Sequence, residues 1–144
     1  MKKSIFVSIA ILIFIIIVLS VLLYQSEMEQ KELQGRIISD FSDTFHLLIL
    51  NTEDVLEGTL DWGIAEDSIS SYCVELDVLT GYGSNVYTSY FRKMGNRLDG
   101  PNQLGKYIGD WRKLYDELQR NKNMDRDQFT NFIEQVKKLE ETLS

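Results

Sequence analysis

One cysteine, one histidine and one proline are all that the chain contains of three residue types on which many small folds and sites depend. A lone Cys73 excludes an intrachain disulfide, so packing alone must hold the fold together. It falls between Ile69, Tyr72 and Leu76 on an apparent helical stripe, where a free thiol acts as a small buried hydrophobe. His46, between Phe45 and Leu47, excludes a His-based metal cluster and reads as structural or interfacial. No Ser has the G-x-S-x-G elbow and no Gly-rich phosphate loop precedes a Lys. The single proline, Pro101, leaves the first hundred residues uninterrupted, and strand-like alternation never persists beyond a few positions. An all-α fold is therefore expected.

Positive charge is also scarce. All 22 acidic residues lie after position 24, where they face 13 basic residues for a net charge of −9. Nucleic acid is excluded as a partner, because binding it requires clustered Lys and Arg that release counterions from phosphates. The acidic excess favours solubility or a basic partner.

What the sequence does hold is an apolar run. Ile5 to Tyr24 contains no charge, no Gly and no Pro. At 1.5 Å per residue such a helix is about 30 Å long, matching the hydrocarbon core of a bilayer. Lipid offers no partners to open backbone groups, so the segment must be helical there. Tyr24 sits at one boundary, and Gln25, Ser26 and Glu27 restore polarity beyond it. Lys2 and Lys3 flank the other end, which by the positive-inside rule keeps the N-terminus cytoplasmic. A cleavable signal peptide needs a shorter core and a small-x-small site, and Leu22 to Ser26 has no such pair. The organisation expected is a cytoplasmic tail over 1–4, a transmembrane signal anchor over 5–24 and an acidic helical ectodomain over 25–144.

After Tyr24, good helix formers from Gln25 to Gln34 can continue the membrane helix. Leu33, Ile37, Phe41, Phe45 and Leu48 then mark a stripe that runs to about Glu57, where Gly58 offers a stop. A second helix is predicted from about Ala65, with Ile69, Tyr72, Cys73, Leu76 and Leu79 on one side. Thr80 to Asn85 either kinks it or divides it from the stripe Val86, Tyr90, Phe91, Met94 and Leu98. Asp99 to Asn102 is the clearest turn. Leu104, Tyr107, Ile108, Trp111, Leu114, Tyr115 and Leu118 form the most regular stripe, and Phe129, Phe132, Ile133, Val136, Leu139 and Leu143 the last. Asp125 is placed as its N-cap, with Gln128 completing a capping box. Such stripes joined by short turns pack antiparallel, giving a bundle of about four helices continuous with the anchor.

Three motifs have a chemical reading. Thr80-Gly81-Tyr82-Gly83 shares letters with the potassium-channel filter, but its flanks are too short and polar to form a pore, and a glycine turn explains it. Asn123, Asp125, Asp127, Asn131 and Glu134 fall at positions 1, 3, 5, 9 and 12 of an EF-hand loop. Gln128 replaces the glycine that loop needs, and Phe129, Phe132 and Ile133 continue helical spacing through it, so a helix start is the better reading. Glu53, Asp54, Glu57, Asp61, Glu66 and Asp67 surround the first turn and read as a solvated loop that can meet a basic partner.

No catalytic constellation and no cofactor site emerges. The expectation is a non-enzymatic bitopic protein in the lipid bilayer, whose ectodomain binds another membrane or envelope protein or itself. Trp62, Tyr82, Tyr87 and Tyr107 are its candidate interface anchors. A ligand-sensing ectodomain acting through a membrane partner is the alternative, and a phage-type lysis accessory protein a third.

Overall fold

The computed structural model describes residues 2–121 and 123–142, apart from the side chains of 2–8, 10 and 142. The Lys2 and Lys3 side chains and Leu143 lie outside the described residues. Five helices follow one another: α1 (Lys2–Glu57), α2 (Trp62–Gly83), α3 (Tyr90–Gly95), α4 (Pro101–Arg120) and α5 (Arg126–Thr142). Among the described residues there is no strand. The chain divides into two compact units, Met1–Leu33 and Gln34–Ser144.

The first unit is helix throughout its described length, and its described apolar side chains are exposed. From Ile9 to Leu23 the large hydrophobic residues are exposed, Phe14 and Leu23 by 67% each. Ser20 returns its hydroxyl to the Ile16 carbonyl at 2.8 Å, so even this polar group is satisfied within the helix. Among the described residues, then, one helix near the N-terminus is long and apolar enough to cross a membrane.

The second unit is built around aromatic rings. Phe41 on α1 lies 5.9 Å from Phe45, 5.9 Å from Phe91 of α3, and 5.3 Å and 5.9 Å from Phe129 and Phe132 of α5. Most of these contacts are edge-to-face, the arrangement the ring quadrupole favours, each contributing about 0.5–1.5 kcal/mol beyond area burial. Helix α2 adds Ala65, Ile69, Cys73 and Leu76 to this core, and α4 adds Leu104, Trp111, Leu114 and Leu118. The indole of Trp111 is fully buried and donates its N–H to the Tyr90 hydroxyl at 3.1 Å. Cys73 is buried as expected, and burial pushes its thiol up to about 12, which makes it inert.

Local signals set the helix ends. Glu57 closes α1 and Gly58 follows at φ +75°, a left-handed conformation that costs L residues with a side chain roughly 1–2 kcal/mol. Asp61 caps α2 by accepting from the Gly63 amide at 2.9 Å, so that helix begins three residues before the expected Ala65. At α5 the capping box is reciprocal: Gln128 N–H donates to Asp125 Oδ1 at 2.9 Å, and Asp125 N–H to Gln128 Oε1 at 3.0 Å.

Three sequence expectations are altered. Leu33 is 59% exposed, and burial on the α1 stripe begins only at Ile38. The interruption expected at Thr80 to Asn85 falls later, since α2 continues through Gly83, and the non-helical stretch from Ser84 to Ser89 divides two helices, one of the two outcomes the sequence left open. There the Ser84 hydroxyl meets the Thr80 and Val86 carbonyls at 2.8 and 2.7 Å, competing with the helical ladder. The acidic run is not one loop: Glu53, Asp54 and Glu57 close α1, Asp61 caps α2 from the turn, and Glu66 and Asp67 lie on α2, with Glu53 paired to Arg112 at 2.6 Å.

Candidate functional site

Among the described residues, the connection between α2 and α3 is held by a dense set of side-chain hydrogen bonds. Gly83 sits where an added Cβ would lie 2.5 Å from Phe129 Cε1 and 2.9 Å from Ile37 Cγ2, so only glycine lets the backbone come this close. Its carbonyl accepts from the Gln34 side-chain amide at 2.6 Å. Two residues on, the Asn85 amide donates to Thr130 Oγ1 at 3.3 Å. Thr88 then turns the chain into α3 by accepting from the Tyr90 amide at 3.2 Å.

Glu140 on α5 fastens the other end of this connection. Its carboxylate accepts from the Thr88 hydroxyl at 2.8 Å, the Ser89 amide at 3.1 Å, the Ser89 hydroxyl at 2.7 Å and Lys93 Nζ at 2.5 Å. Burial alone would raise its pKa, but the bonds from Lys93, Ser89 and Thr88 outweigh that and hold it at about 2. Beside it, Asp77 is 2% exposed and pairs with Arg92 at 3.0 Å, leaving Oδ1 with no hydrogen-bond partner. Burial raises the Asp77 pKa and Arg92 opposes the rise. Both carboxylates bond to groups at the start of α3, Glu140 through Thr88, Ser89 and Lys93 and Asp77 through Arg92, and so pin that helix to α5 and α2.

Around this anchorage the four predicted interface aromatics divide into pairs. Tyr82 and Tyr87 flank the pinned segment and are 70% and 66% exposed. Trp62 and Tyr107 are half-buried against the core, Tyr107 stacked on Trp111 with ring centroids 6.3 Å apart. On either side of the α1–α2 turn, Ile64 is 71% and Leu56 41% exposed. His46 is exposed and stacks on Tyr115 at 5.2 Å.

The EF-hand spacing does not become a loop. Asp127, Asn131 and Glu134 lie on α5, Asp125 is occupied in the capping box, and Asn123 precedes the helix. Seven residues of α-helix separate Asp127 from Glu134 by about 10 Å along the axis, too far to converge on one ion at about 2.4 Å. Among the described residues no three His, Cys, Asp or Glu side chains are gathered as a metal would need.

Two cavities open among the described residues. One of about 250 Å³ is lined by residues of α1 and the end of α4, among them Ser39, Ser42, Asp43 and Gln119, with Gln119 bonded to Ser42 at 3.0 Å. One of about 100 Å³ lies by Trp62, Ser70 and Leu98. No family model, curated protein or solved structure matches the chain.

Sequence reasoning missed Asp77 and Glu140. Their partners are 15 and up to 52 residues away, and nothing local marks either residue.

Proposed function

We propose that the chain is a non-enzymatic single-pass membrane protein. Its apolar N-terminal helix anchors it with the N-terminus cytoplasmic, and its helical bundle outside the membrane binds a protein partner as a subunit, adaptor or scaffold. The observation that supports this best is the surface at the α1–α2 turn. A unit that buries 23 hydrophobic residues in one core leaves Ile64 and Leu56 exposed beside the half-buried Trp62. Exposed Asp54, Glu57, Asp61, Glu66 and Asp67 neighbour them in sequence, so apolar and acidic side chains alternate through this segment. A basic, apolar patch on another envelope protein is the matching surface. Exposure of the N-terminal apolar helix along its described length supports the anchor, since in water it would leave that surface unburied.

Ligand sensing is less well supported. The larger cavity, at about 250 Å³, is lined mainly by polar residues, whereas small-molecule sites of roughly 300–1,000 Å³ are mostly apolar.

The experiment is photo-crosslinking in membranes from a reactive side chain at position 64, followed by mass spectrometry. A discrete adduct to one protein is expected, weakened by acid-neutralising changes at Asp61 and Glu66. A chain that crosslinks to nothing while it remains in the membrane fraction overturns the partner reading. A chain that leaves the membrane in alkaline carbonate overturns the anchor.

A further inference from the structure

The cavity of about 250 Å³ between α1 and the end of α4 is too polar for an apolar ligand, but its polarity is one-sided. Asp43 is its one charged lining residue, and among the described residues that line it there is no Lys, Arg or His. Ser39, Ser42, Gln119 and Asn121 complete the polar wall, while buried Ile38 and Leu118 give it an apolar base. We propose that this cavity binds a compact primary ammonium compound, with its N–H groups on Asp43 and the neighbouring side-chain oxygens and its methylenes against Ile38 and Leu118.

The hydrogen-bond inventory of the wall calls for a donor. Gln119 donates from its amide nitrogen to Ser42 Oγ at 3.0 Å, and Asn121 from its own to the Glu117 carbonyl at 3.2 Å. Each amide keeps its carbonyl oxygen for a further donor. Asp43 has no ion-pair partner among the described residues, so its carboxylate is also unspent. Helix α4 ends here at Arg120, and the partial negative charge of its C-terminus adds to that of the carboxylate.

Size and lining narrow the class of cation. At about 30 Å³ per water the cavity holds roughly eight waters, room for a short aliphatic amine but not for a drug-sized molecule. A quaternary ammonium has no N–H to give and is held by aromatic faces, and no aromatic residue lines this wall. Calcium takes six to eight oxygen ligands, commonly from several carboxylates, whereas Asp43 stands alone here. A primary ammonium matches what remains, because it carries three donors on one small charged head. The acidic excess of the chain attracts any cation, so selection has to come from the cavity itself.

The test is calorimetric titration of the full chain, in a nonionic detergent at pH 7, with 1,4-diaminobutane, paired with thermal melts across the same concentrations. Saturable one-to-one binding with a rise in Tm is expected. D43N should weaken it about 10- to 100-fold, the loss of a hydrogen bond to a charged group. S39L keeps every charge but fills the cavity, and should abolish binding, whereas D67N on α2 should leave it unchanged. All three positions are exposed, and matching helicity by circular dichroism shows that the variants keep the fold. Equal binding of tetramethylammonium, or equal losses in D43N and D67N, reduces the effect to the general acidic field and overturns the site. Neither heat nor a Tm rise at millimolar diamine overturns it as well. Tighter binding of Nα-acetyllysine amide than of the diamine moves the ammonium to a protein side chain and overturns the free-amine assignment. None of these failures touches the partner surface at the α1–α2 turn, which the crosslinking experiment tests separately.

Discussion

Glu140 and Ser89 are joined twice, with both the amide and the hydroxyl of Ser89 donating to one carboxylate 51 residues further along the chain. Lys93 and Thr88 complete its shell, and Lys93 is half exposed, so its share of the stabilisation is reduced by solvent screening. Removing the carboxylate orphans several polar groups at once. E140A should cost on the order of 2 kcal/mol, or roughly 6–10 °C in Tm, read by circular dichroism on the detergent-solubilised chain.

The same site gives the chain an acid limb. Glu140 titrates at about 2 when folded against an ordinary 4.5, so its folded pKa is depressed. Its stabilisation is complete above the unfolded value and is lost as pH falls from 4.5 towards 2. Tm of the native chain and of E140Q should therefore differ most at neutral pH and converge towards pH 2. A constant gap across that range would count against the four-donor shell.

Trp111 and Tyr90 test the core in a different way. Y90F leaves the buried indole N–H without an acceptor, and an unsatisfied buried donor costs about 1–3 kcal/mol. Replacing both residues with Phe removes the orphan together with its partner. A double-mutant cycle by urea denaturation should yield a coupling of about 1 kcal/mol, with the double variant less destabilised than the two single changes sum to. Strict additivity would mean that the bond contributes nothing.

Features that depend on neighbours in sequence are legible there: the stop at Glu57, the break ahead of Pro101, the Asp125–Gln128 box and burial of Phe41, Phe45 and Leu48. Each follows from dihedral preference or 3.6-residue periodicity acting within a few residues. Leu33 was misplaced because periodicity reports a face, not the point along a helix at which neighbours begin to cover it. Asp77 and Glu140 were invisible for a related reason, since their partners meet only after α3 and α5 have packed. The exposed tyrosines were named as anchors, but Trp62 and Tyr107 looked identical to them in sequence. Only burial tells core aromatics from surface ones.

Two glycines in one turn of α2 should respond in opposite directions. Gly81 has open space where a Cβ would go, so G81A should be neutral or stabilise by up to about 1 kcal/mol through helix propensity. At Gly83 the same methyl would meet Phe129 and Ile37, and G83A should cost about 1–3 kcal/mol through forced displacement of the core. Thermal melts of the two variants separate these outcomes, and equal Tm values would show that the close approach at Gly83 is relaxed at no cost.

The Asp77–Arg92 pair should be asymmetric. Asp77 is almost wholly enclosed with one carboxylate oxygen unpartnered, whereas Arg92 is half exposed and easily hydrated. Burying the carboxylate is the main cost of the pair, and its raised pKa expresses that cost. D77N removes the buried charge while preserving shape, so it should lie within about 1 kcal/mol of the native chain in either direction. R92A instead leaves the charge enclosed and uncompensated. It should cost about 2 kcal/mol at pH 7, less than a fully buried pair would because Arg92 is already in water. Because the folded pKa of Asp77 is raised, protonation relieves the R92A defect as pH falls through that value, so the penalty should shrink on acidification. Urea titrations of both variants at two pH values decide the matter: D77N costing more than R92A would mean that the carboxylate holds α3 by bonds that outweigh its desolvation.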